Sequence, residues 1–248
     1  MKLTSQGFKV QHPSAVATPR VLMLILASDN NPVFLEHQRI WRSYMHTHPN
    51  IKAFFYKANP SLESEFCIID DVLWVRCEES LYTVYEKTLK AFDAVLPMLQ
   101  EYDFVFRPNL SSFVILDRYL EFCKNFPRMN LCAALIGDYG NIKFPTGAGF
   151  TLSCDVVRRL TEVRPPLFCQ DDVTIGKALQ EWNIPIYFAP RTDINSWESY
   201  IHADTTGFHY RLKHAHRQAS GNMHEEELRI MTDLRNRVYG YPTHLQGS

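Results

Sequence analysis

The chain has 248 residues, and its 26 Lys and Arg residues nearly balance its 27 Asp and Glu residues, which leaves a formal net charge of −1. Binders of nucleic acid or of membrane surfaces need a charge excess to hold phosphates or anionic lipid, so this balance argues against nucleic acid as a partner. Hydrophobic residues make up 46% of the chain, enough for a sizeable core, and no run approaches the roughly 18 apolar residues that span a bilayer.

The six cysteines are scattered, with no Cys-x-x-Cys pair of the kind that zinc and redox sites use. This distribution predicts reduced, mostly buried thiols and a cytoplasmic location, although the even number of cysteines leaves disulfides open. Residues 1–20 lack the apolar core of a signal peptide, and we expect them to form a leader before the first strand.

Apolar runs of strand length alternate with segments of helical periodicity. Strands are predicted at residues 21–27, 51–56, 72–76, 103–107, 131–136, 149–153 and 186–189. Helices are predicted at residues 33–48, 79–100, 111–126, 155–163, 172–182 and 225–238. This alternation predicts an α/β fold, a mostly parallel twisted sheet with helices on both faces, in a single domain over residues 21–240. Ligands of such sheets bind beyond the carboxyl ends of the strands.

The first candidate segment follows the predicted strand at 103–107. It carries Arg107, Asn109, Ser111 and Ser112 to the point where the next helix is expected to begin. A guanidinium beside a helix N-terminus suits an anionic group such as a diphosphate. The alternative is an ordinary strand-to-helix turn that a serine caps.

The second candidate is the Gly147-Ala-Gly149 segment, which runs into a predicted strand. It lacks the third glycine and the following helix of a dinucleotide fingerprint. Glycines at these positions let the backbone pass close to a sugar ligand, where a Cβ would collide. A bulge or tight turn is the alternative.

The third candidate is the adjacent pair Asp171 and Asp172 at the start of a predicted helix. The helix dipole stabilises their ionised form, and one carboxylate there can take a proton from an attacking hydroxyl. The alternative is that Asp171 serves only as an N-cap.

The fourth candidate is a cationic stretch near the C-terminus. In an extended chain, His209, Arg211 and Lys213 point to one face, where they can hold a negative leaving group. A solvated basic edge strand is the alternative. His214 and His216 have the spacing of a metal-ligand pair, but the spacing shows no third ligand.

Taken in order, these segments resemble GT-A glycosyltransferases, and especially the β-1,3-galactosyltransferase-like enzymes. The family pattern Tyr-x-Asn-Leu-Thr-x-Lys-Thr is similar to residues 85–90, and the strand ending in Lys-Thr-Asp-Asp-Asp is similar to residues 107–111. Gly-x-Gly-Tyr-x-x-Ser is similar to residues 147–153, and Glu-Asp-Val-x-x-Gly to residues 170–173 with Gly176. The last two motifs are the most specific, because their spacing and the flanking helix agree with the pattern.

The resemblance covers roughly residues 21–215. The Arg-x-Asn-Leu-Ser-Ser-Phe type of sequence also resembles glycosyltransferase domains of large algal (chlorella) viruses and some bacterial polysaccharide enzymes. One departure concerns the metal. The family's Asp-x-Asp holds a divalent cation, Mn²⁺ or Mg²⁺, whereas this chain has Asn109-Leu110-Ser111, whose neutral oxygens are weaker ligands for a hard cation. Other carboxylates that remain as substitute ligands are Asp70, Asp71 and Asp138.

The resemblance implies an inverting transfer of a hexose, best matched by galactose, from a UDP-sugar to a hydroxyl of a glycan or glycoprotein acceptor. It implies that Asp172, or Asp171 after a one-position slip, deprotonates the acceptor. The expected donor-binding residues are Ala27, Ser28, Asp29, Lys90, Arg107, Asn109, Ser111, Ser112, Gly147, Gly149, His209, Arg211 and Lys213. A retaining transferase and a catalytically inactive nucleotide-sugar-binding domain are the alternatives.

Overall fold

The computed structural model describes residues 17–163, 171–212 and 222–240. The strands are β1 (Val21–Leu26), β2 (Ile51–Ala58), β3 (Phe66–Ile69), β4 (Val72–Val75), β5 (Phe104–Pro108), β6 (Ser112–Val114), β7 (Cys132–Tyr139), β8 (Ile142–Ser153), β9 (Ile186–Phe188), β10 (Thr192–Ile194) and β11 (His209–Leu212). The helices are α1 (Pro32–Arg42), α2 (Val84–Val95), α3 (Leu116–Cys123), α4 (Cys154–Thr161), α5 (Asp171–Glu181), α6 (Trp197–Ile201) and α7 (Asn222–Tyr239), and a 3₁₀ turn (Leu96–Glu101) follows α2.

Eight strands form the central sheet in the order β3-β4-β2-β1-β5-β8-β7-β9. At its centre β1 pairs in parallel with β2 and β5, and β8 then runs antiparallel to both β5 and β7. A second sheet of three strands has the order β10-β11-β6. The predicted α/β fold, with a large mostly parallel sheet between helices, is confirmed.

The central sheet separates two hydrophobic clusters, as alternation along β1 shows. Val21, Met23 and Ile25 face the cluster that includes side chains of α1, α3 and α7. Leu22 and Leu24 face the cluster that includes side chains of α2, α4 and α5. Successive side chains of a strand point to opposite faces, so an all-apolar strand such as β1 is buried on both sides. This burial fixes the carboxyl end of β1, where the candidate site begins.

The predicted helix at 111–126 is wrong in its first turns. Residues Ser112–Val114 form β6, which pairs with β11, and α3 begins only at Leu116. Phe113 and Val114 are fully buried between elements distant in sequence, a tertiary contact that local helical periodicity does not register. The expected helix N-terminus at Ser111 and Ser112 is therefore absent.

Other differences concern the ends of elements. The short strands expected at 131–136 and 149–153 belong to the long β7–β8 hairpin, and the helix expected at 79–100 begins only at Val84. Strands β3 and β10 and helix α6, all short, were not predicted. The cysteines of the described residues (Cys67, Cys77, Cys123, Cys132 and Cys154) are free thiols. None of the described helices combines the length and apolarity needed to cross a bilayer.

Candidate functional site

A cavity of about 690 Å³ opens at the carboxyl ends of β1 and β5. Its walls also include the start of α1, the segment that leads into α2, and single residues of β11 and α7. The lining includes Ala27, Ser28, Asn30, Phe34, His37, Glu79, Leu81, Lys87, Asn109, Ser111, Leu212 and Glu227. Four of the residues expected to bind a donor (Ala27, Ser28, Asn109 and Ser111) thus line one cavity.

Lys87 forms the buried cationic part of the cavity wall. Its ammonium donates to the carbonyl oxygen of Ala27 at 3.1 Å and to the two carboxylate oxygens of Glu79 at 2.7 and 2.9 Å. Burial lowers the pKa of Lys87, and Glu79 opposes that shift. All three ammonium protons have partners, so Lys87 fixes the positions of the Ala27 carbonyl and of Glu79 at the cavity.

Lys90, the lysine expected to approach the donor, lies elsewhere. Its ammonium donates to the carbonyl of Arg76 at 2.7 Å and to Glu65 at 3.0 Å, on the side of α2 that faces β4. It does not line the cavity, whereas Lys87 of the same motif does. Position 87 lies three residues after Val84 and four before Ala91, on the face that α2 turns inward, and this spacing is the signal that sequence reasoning missed.

Asp29 lies just beyond Ser28 at the end of β1. It accepts hydrogen bonds from Lys57 at 2.7 Å and from Gln38 at 3.0 Å. Burial raises the pKa of Asp29, but these two hydrogen bonds and the charge of Lys57 outweigh it, and the pKa is lowered overall. The carboxylate is 44% exposed, so an ionised and partly accessible acceptor stands beside the cavity.

The turn after β5 directs its polar atoms inward. The side-chain oxygen of Asn109 accepts from the hydroxyls of Ser111 at 3.2 Å and Ser112 at 3.0 Å. The backbone N–H of Asn109 donates to the carbonyl of Ala148 at 3.2 Å, which ties β5 to β8. Asn109 and Ser111 still reach the cavity, and Ser112 is fully buried.

This donor set does not fit a divalent cation. The Asn109 oxygen, at the position where the family pattern has a carboxylate, is neutral and already accepts two hydroxyl hydrogen bonds. Hard cations prefer several carboxylate or carbonyl oxygens. Over residues 17–163, 171–212 and 222–240, no group of three His, Cys, Asp or Glu side chains is arranged to hold a metal.

A second cluster centres on Arg107, which is 1% exposed. Its Nε donates to the hydroxyl of Tyr56 at 2.9 Å, and Nη1 donates to the carbonyl of Gly147 at 2.5 Å. Nη2 forms a short ion pair with Asp171, and the guanidinium lies 5.3 Å from the centre of the Phe150 ring. Arg107 is thus enclosed by protein groups instead of being directed into the cavity.

The two aspartates at the start of α5 have different surroundings. Asp171 pairs with Arg107, whereas Asp172 accepts from the backbone N–H of Gly147 at 3.0 Å and of Val173 at 2.9 Å. Burial raises the pKa of Asp172, and the neighbouring charge of Asp171 raises it further. A Cβ on Gly147 would lie 3.1 Å from the Asp172 carboxylate, so glycine permits this close approach.

His209, expected to supply positive charge, is buried and neutral instead. It is 4% exposed, and burial together with Arg191 and Arg211 lowers its pKa to about 3. Its Nε2 lies 3.1 Å from the Ser112 hydroxyl, and a Cβ on Gly149 would come within 2.6 Å of its ring. The absence of a side chain at Gly149 therefore leaves space for the imidazole. His209 packs against β8 at Gly149 and does not line the cavity.

Arg211 lies two residues further along β11, opposite Ser112 of β6. Leu212 donates its N–H to the Ser111 carbonyl at 2.8 Å and lines the cavity. Lys213 comes directly after it and lies outside the described residues, as do His214 and His216. Of the described residues in this stretch, Leu212 lines the cavity.

The described structure also brings Arg191 to this region, a residue that the sequence did not indicate. Its Nη1 donates to the hydroxyl of Thr146 at 2.8 Å, and its other nitrogens pair with Asp193 at 2.5 and 3.0 Å. Arg191 lies in a short segment without a periodic apolar pattern, so the local sequence does not indicate that its side chain reaches this region.

Comparison with known proteins gives structural likeness only. No protein-family model matches the sequence, and no curated protein matches it. A glycosyltransferase involved in glycosylation of the major capsid of PBCV-1 superposes with a TM-score of 0.50 at 10% identity, over 87% of this chain and 100% of that one. The likeness supports the same fold, the GT-A fold expected from the motifs.

Two further solved structures are similar. The galactosyltransferase LgtC, in complex with donor and acceptor sugar analogues, has a TM-score of 0.44 and 10% identity, over 90% of this chain and 98% of that one. The mannosyltransferase PcManGT from Pyrobaculum calidifontis, in complex with GDP-Man and Mn²⁺, has a TM-score of 0.48 and 8% identity, over 84% of this chain and 60% of that one.

Proposed function

We propose that the chain is a glycosyltransferase that transfers a hexose from a nucleotide diphosphate sugar to a hydroxyl of a glycan. The observation that carries this proposal is the 690 Å³ cavity at the carboxyl ends of β1 and β5, together with a pair of aspartates at the start of α5. The two are linked through β8, where Ala148 accepts from the N–H of the cavity residue Asn109 and the preceding Gly147 donates to Asp172. The GT-A fold, shared with a glycosyltransferase of capsid glycosylation, supports it. The motif pattern favours UDP-galactose as the donor.

In this proposal the nucleoside lies against the end of β1. The carbonyl oxygen of Ala27, the hydroxyl of Ser28 and the carboxylate of Asp29 supply polar contacts for base and ribose. Lys87, itself paired with Glu79, donates to the Ala27 carbonyl and holds it in place. Asn109 and Ser111 border the space left for the diphosphate.

Asp172 is the general base of the proposed transfer. Its raised pKa and partial burial suit a group that accepts a proton at neutral pH, whereas Asp171 is engaged in an ion pair with Arg107. The acceptor hydroxyl loses its proton to Asp172 as its oxygen bonds to the anomeric carbon. The bond from that carbon to the diphosphate breaks on the opposite face, so the configuration inverts.

The departing diphosphate needs positive charge, and the described residues do not offer a metal centre for it. We assign this part to Arg211 and to Lys213, the two cationic residues that flank the cavity-lining Leu212 in the sequence. His209 is neutral and has no electrostatic part in this step.

A catalytically inactive nucleotide-sugar-binding domain is the second candidate. The neutral Asn109 at the family's metal position favours it. The two candidates share the cavity and differ in turnover, so incubation with UDP-galactose and an acceptor, with and without a chelator, separates them by release of UDP.

Calorimetry with UDP, in the presence of Mn²⁺ and of a chelator, tests the site itself. Leu81 is 86% exposed and lines the cavity, and Tyr82 is 79% exposed without lining it. We expect Leu81→Glu to weaken UDP binding about tenfold by repelling the diphosphate, and Tyr82→Glu to bind as the wild type does. The proposal is contradicted if UDP does not bind under either condition. If the two variants change UDP affinity equally, UDP does not bind in this cavity.

A further inference from the structure

We propose that Arg107 is a positioning residue for the general base: its guanidinium fixes Asp171 and the Gly147 peptide, and the N–H of Gly147 holds the carboxyl of Asp172. The inference rests on the proposed function, because it explains how the base of that reaction is held. Neither the motif comparison nor the family pattern assigns this part to the arginine, which the sequence placed among donor-binding residues.

The guanidinium joins three elements that are far apart in sequence. Arg107 lies in β5, and its three nitrogens donate separately to Tyr56 in β2, to Gly147 in β8 and to Asp171 in α5. A planar fork with fixed donor directions satisfies three acceptors at once, which a lysine ammonium on a flexible stem does not reproduce. The side chain is 1% exposed, so it acts through these contacts and not by touching a ligand.

Gly147 transmits the constraint to Asp172. Its carbonyl accepts from Arg107 at 2.5 Å, and its N–H donates to the Asp172 carboxylate at 3.0 Å. One residue of β8 is therefore held by the arginine on one side and holds the base on the other. A displaced Arg107 shifts this peptide and with it the direction of the Asp172 oxygens.

The orientation of the Arg107 side chain is set by hydrogen bonds through two buried hydroxyls, those of Tyr56 and Thr88. The Tyr56 oxygen that accepts from Arg107 lies 3.0 Å from the Thr88 hydroxyl, which donates to the Val84 carbonyl at 2.8 Å. Val84 lines the cavity. The cluster around the base is thus connected to the wall of the proposed donor site by consecutive hydrogen bonds.

Two charges of opposite sign act on Asp172 within this geometry. Asp171 raises the pKa of Asp172, and Arg107 lowers it, while the N–H groups of Gly147 and Val173 also lower it. Arg191, which reaches the neighbouring Thr146, is paired with Asp193. Removing Arg107 and removing the charge of Asp171 therefore have opposite consequences for the protonation of Asp172, which a merely structural arginine does not predict.

The test is an NMR titration of the full chain labelled with ¹³C at the aspartate carboxyls, with the Asp172 signal assigned by its loss in Asp172→Asn. We expect the pKa of Asp172 to rise by about one unit in Arg107→Gln and to fall by about one unit in Asp171→Asn. The acidic limb of the pH profile of kcat is expected to move with it in each variant.

Arg107→Lys supplies a rescue control. It keeps the positive charge, so we expect the pKa of Asp172 to return close to the wild-type value. It loses the fork that holds Gly147 and Asp171, so we expect kcat to stay at least about tenfold below wild type. If Arg107→Gln does not fold, Tyr56→Phe and Asp171→Asn are measured instead, and Tyr56→Phe is expected to lower kcat with little change in KM.

The outcomes separate this inference from the proposed function. Both the positioning role and the proposed function are supported if the Asp172 pKa shifts in opposite directions in Arg107→Gln and Asp171→Asn and the acidic limb of the kcat profile shifts with it. An Asp172 pKa that is unchanged, or that moves the same way in Arg107→Gln and Asp171→Asn, overturns the positioning role even in an active enzyme. A wild-type chain that binds no nucleotide sugar and transfers none overturns the proposed function and the general-base role with it.

Discussion

Two buried cations, Lys87 at the cavity and Arg107 beside the aspartates, satisfy the same physical requirement in different ways. Each is no more than 2% exposed and each pairs with a carboxylate. Glu79 lies eight residues from Lys87, within the segment that leads into α2. The partners of Arg107 lie 51, 40 and 64 residues away in three different elements.

The difference shows how the two regions divide their work. The local pair at Lys87 shapes one wall of a cavity that stays open to a ligand, and its loss affects the neighbourhood of α2. The Arg107 cluster holds β2, β5, β8 and the start of α5 in one arrangement around Asp172. We therefore expect substitutions at the cavity to change donor affinity and substitutions in the cluster to change kcat. The variants below test this difference, from the largest expected effect to the smallest.

The largest effect is expected on the cluster side, at the base. Asp172→Asn keeps the shape of the side chain and removes its ability to accept a proton. We expect kcat to fall by about 10² to 10⁴ with UDP affinity within a few-fold of wild type. Asp117→Asn, in the exposed first turn of α3, is the matched control and is expected to turn over normally. Near-normal turnover of both Asp172→Asn and Asp171→Asn shows that neither aspartate is the base.

The cavity side is tested by Lys87→Met, with Lys90→Met as its partner on the same helix. Loss of one member of a buried ion pair costs roughly 3–5 kcal/mol, and partial exposure of Glu79 reduces this to about 2 kcal/mol of unfolding free energy. UDP affinity should fall because the Ala27 carbonyl loses its support. Lys90 pairs at the surface, so Lys90→Met should cost under about 1 kcal/mol.

Urea denaturation measures the free energy of unfolding of both lysine variants, and calorimetry measures their affinity for UDP. Equal effects of Lys87→Met and Lys90→Met on UDP affinity contradict the assignment of Lys87 to the cavity wall. A loss of turnover in Lys87→Met without a loss of affinity contradicts the division between the two regions.

Gly149 lies where the two regions meet, and its substitution has an intermediate effect. A Cβ at this position would come within 2.6 Å of the buried His209 ring. We expect Gly149→Ala to lower the free energy of unfolding by about 1–3 kcal/mol through overpacking. Gly207→Ala, whose Cβ would have an ordinary contact of 3.6 Å, is the control and should be close to neutral. A stable Gly149→Ala shows that the imidazole does not fill this space.

The effect that is smallest at neutral pH is the pH dependence of stability that His209 introduces. Its pKa of about 3 in the folded chain lies below its ordinary value of 6.5. The unfolded chain therefore binds the extra proton between these values, and stability is lost as the pH falls below about 6.5, by up to about 1.4 kcal/mol per pH unit. His209→Gln should flatten this slope, measured as urea midpoints from pH 7 to pH 5. Exposed His202→Gln is the control, and an unchanged slope in His209→Gln contradicts the buried neutral state.

Periodicity and composition predicted the fold where signals are local. The apolar run of β1, the alternation with helices and the C-terminal helix follow from side-chain spacing over ten to twenty residues. The helix expected at 111–126 failed because Phe113 and Val114 are buried by pairing with β11, almost a hundred residues away. Such long-range pairing outweighs local periodicity and leaves no trace in it.

The candidate site was predicted in the same uneven way. Ala27, Ser28 and Asn109, which were predicted because strand ends mark ligand sites in α/β sheets, line the cavity. Lys87 was missed in favour of Lys90, although its position on the inward face of α2 was visible in the spacing. The contacts of Arg107 could not be predicted from the sequence, because its partners come together only when β2, β5, β8 and α5 pack against one another.

The measurement that tests the central claim most directly is ¹H NMR of the full chain incubated with UDP-galactose and a panel of glycan acceptors in chelator. The account predicts that the α-anomeric signal of the donor decays while UDP and a β-linked product appear, and that Asp172→Asn abolishes both changes. Retention of the α configuration contradicts the inverting mechanism. Intact donor in every reaction, also after Mn²⁺ is added and other nucleotide sugars are supplied, contradicts the assignment of this chain as a glycosyltransferase.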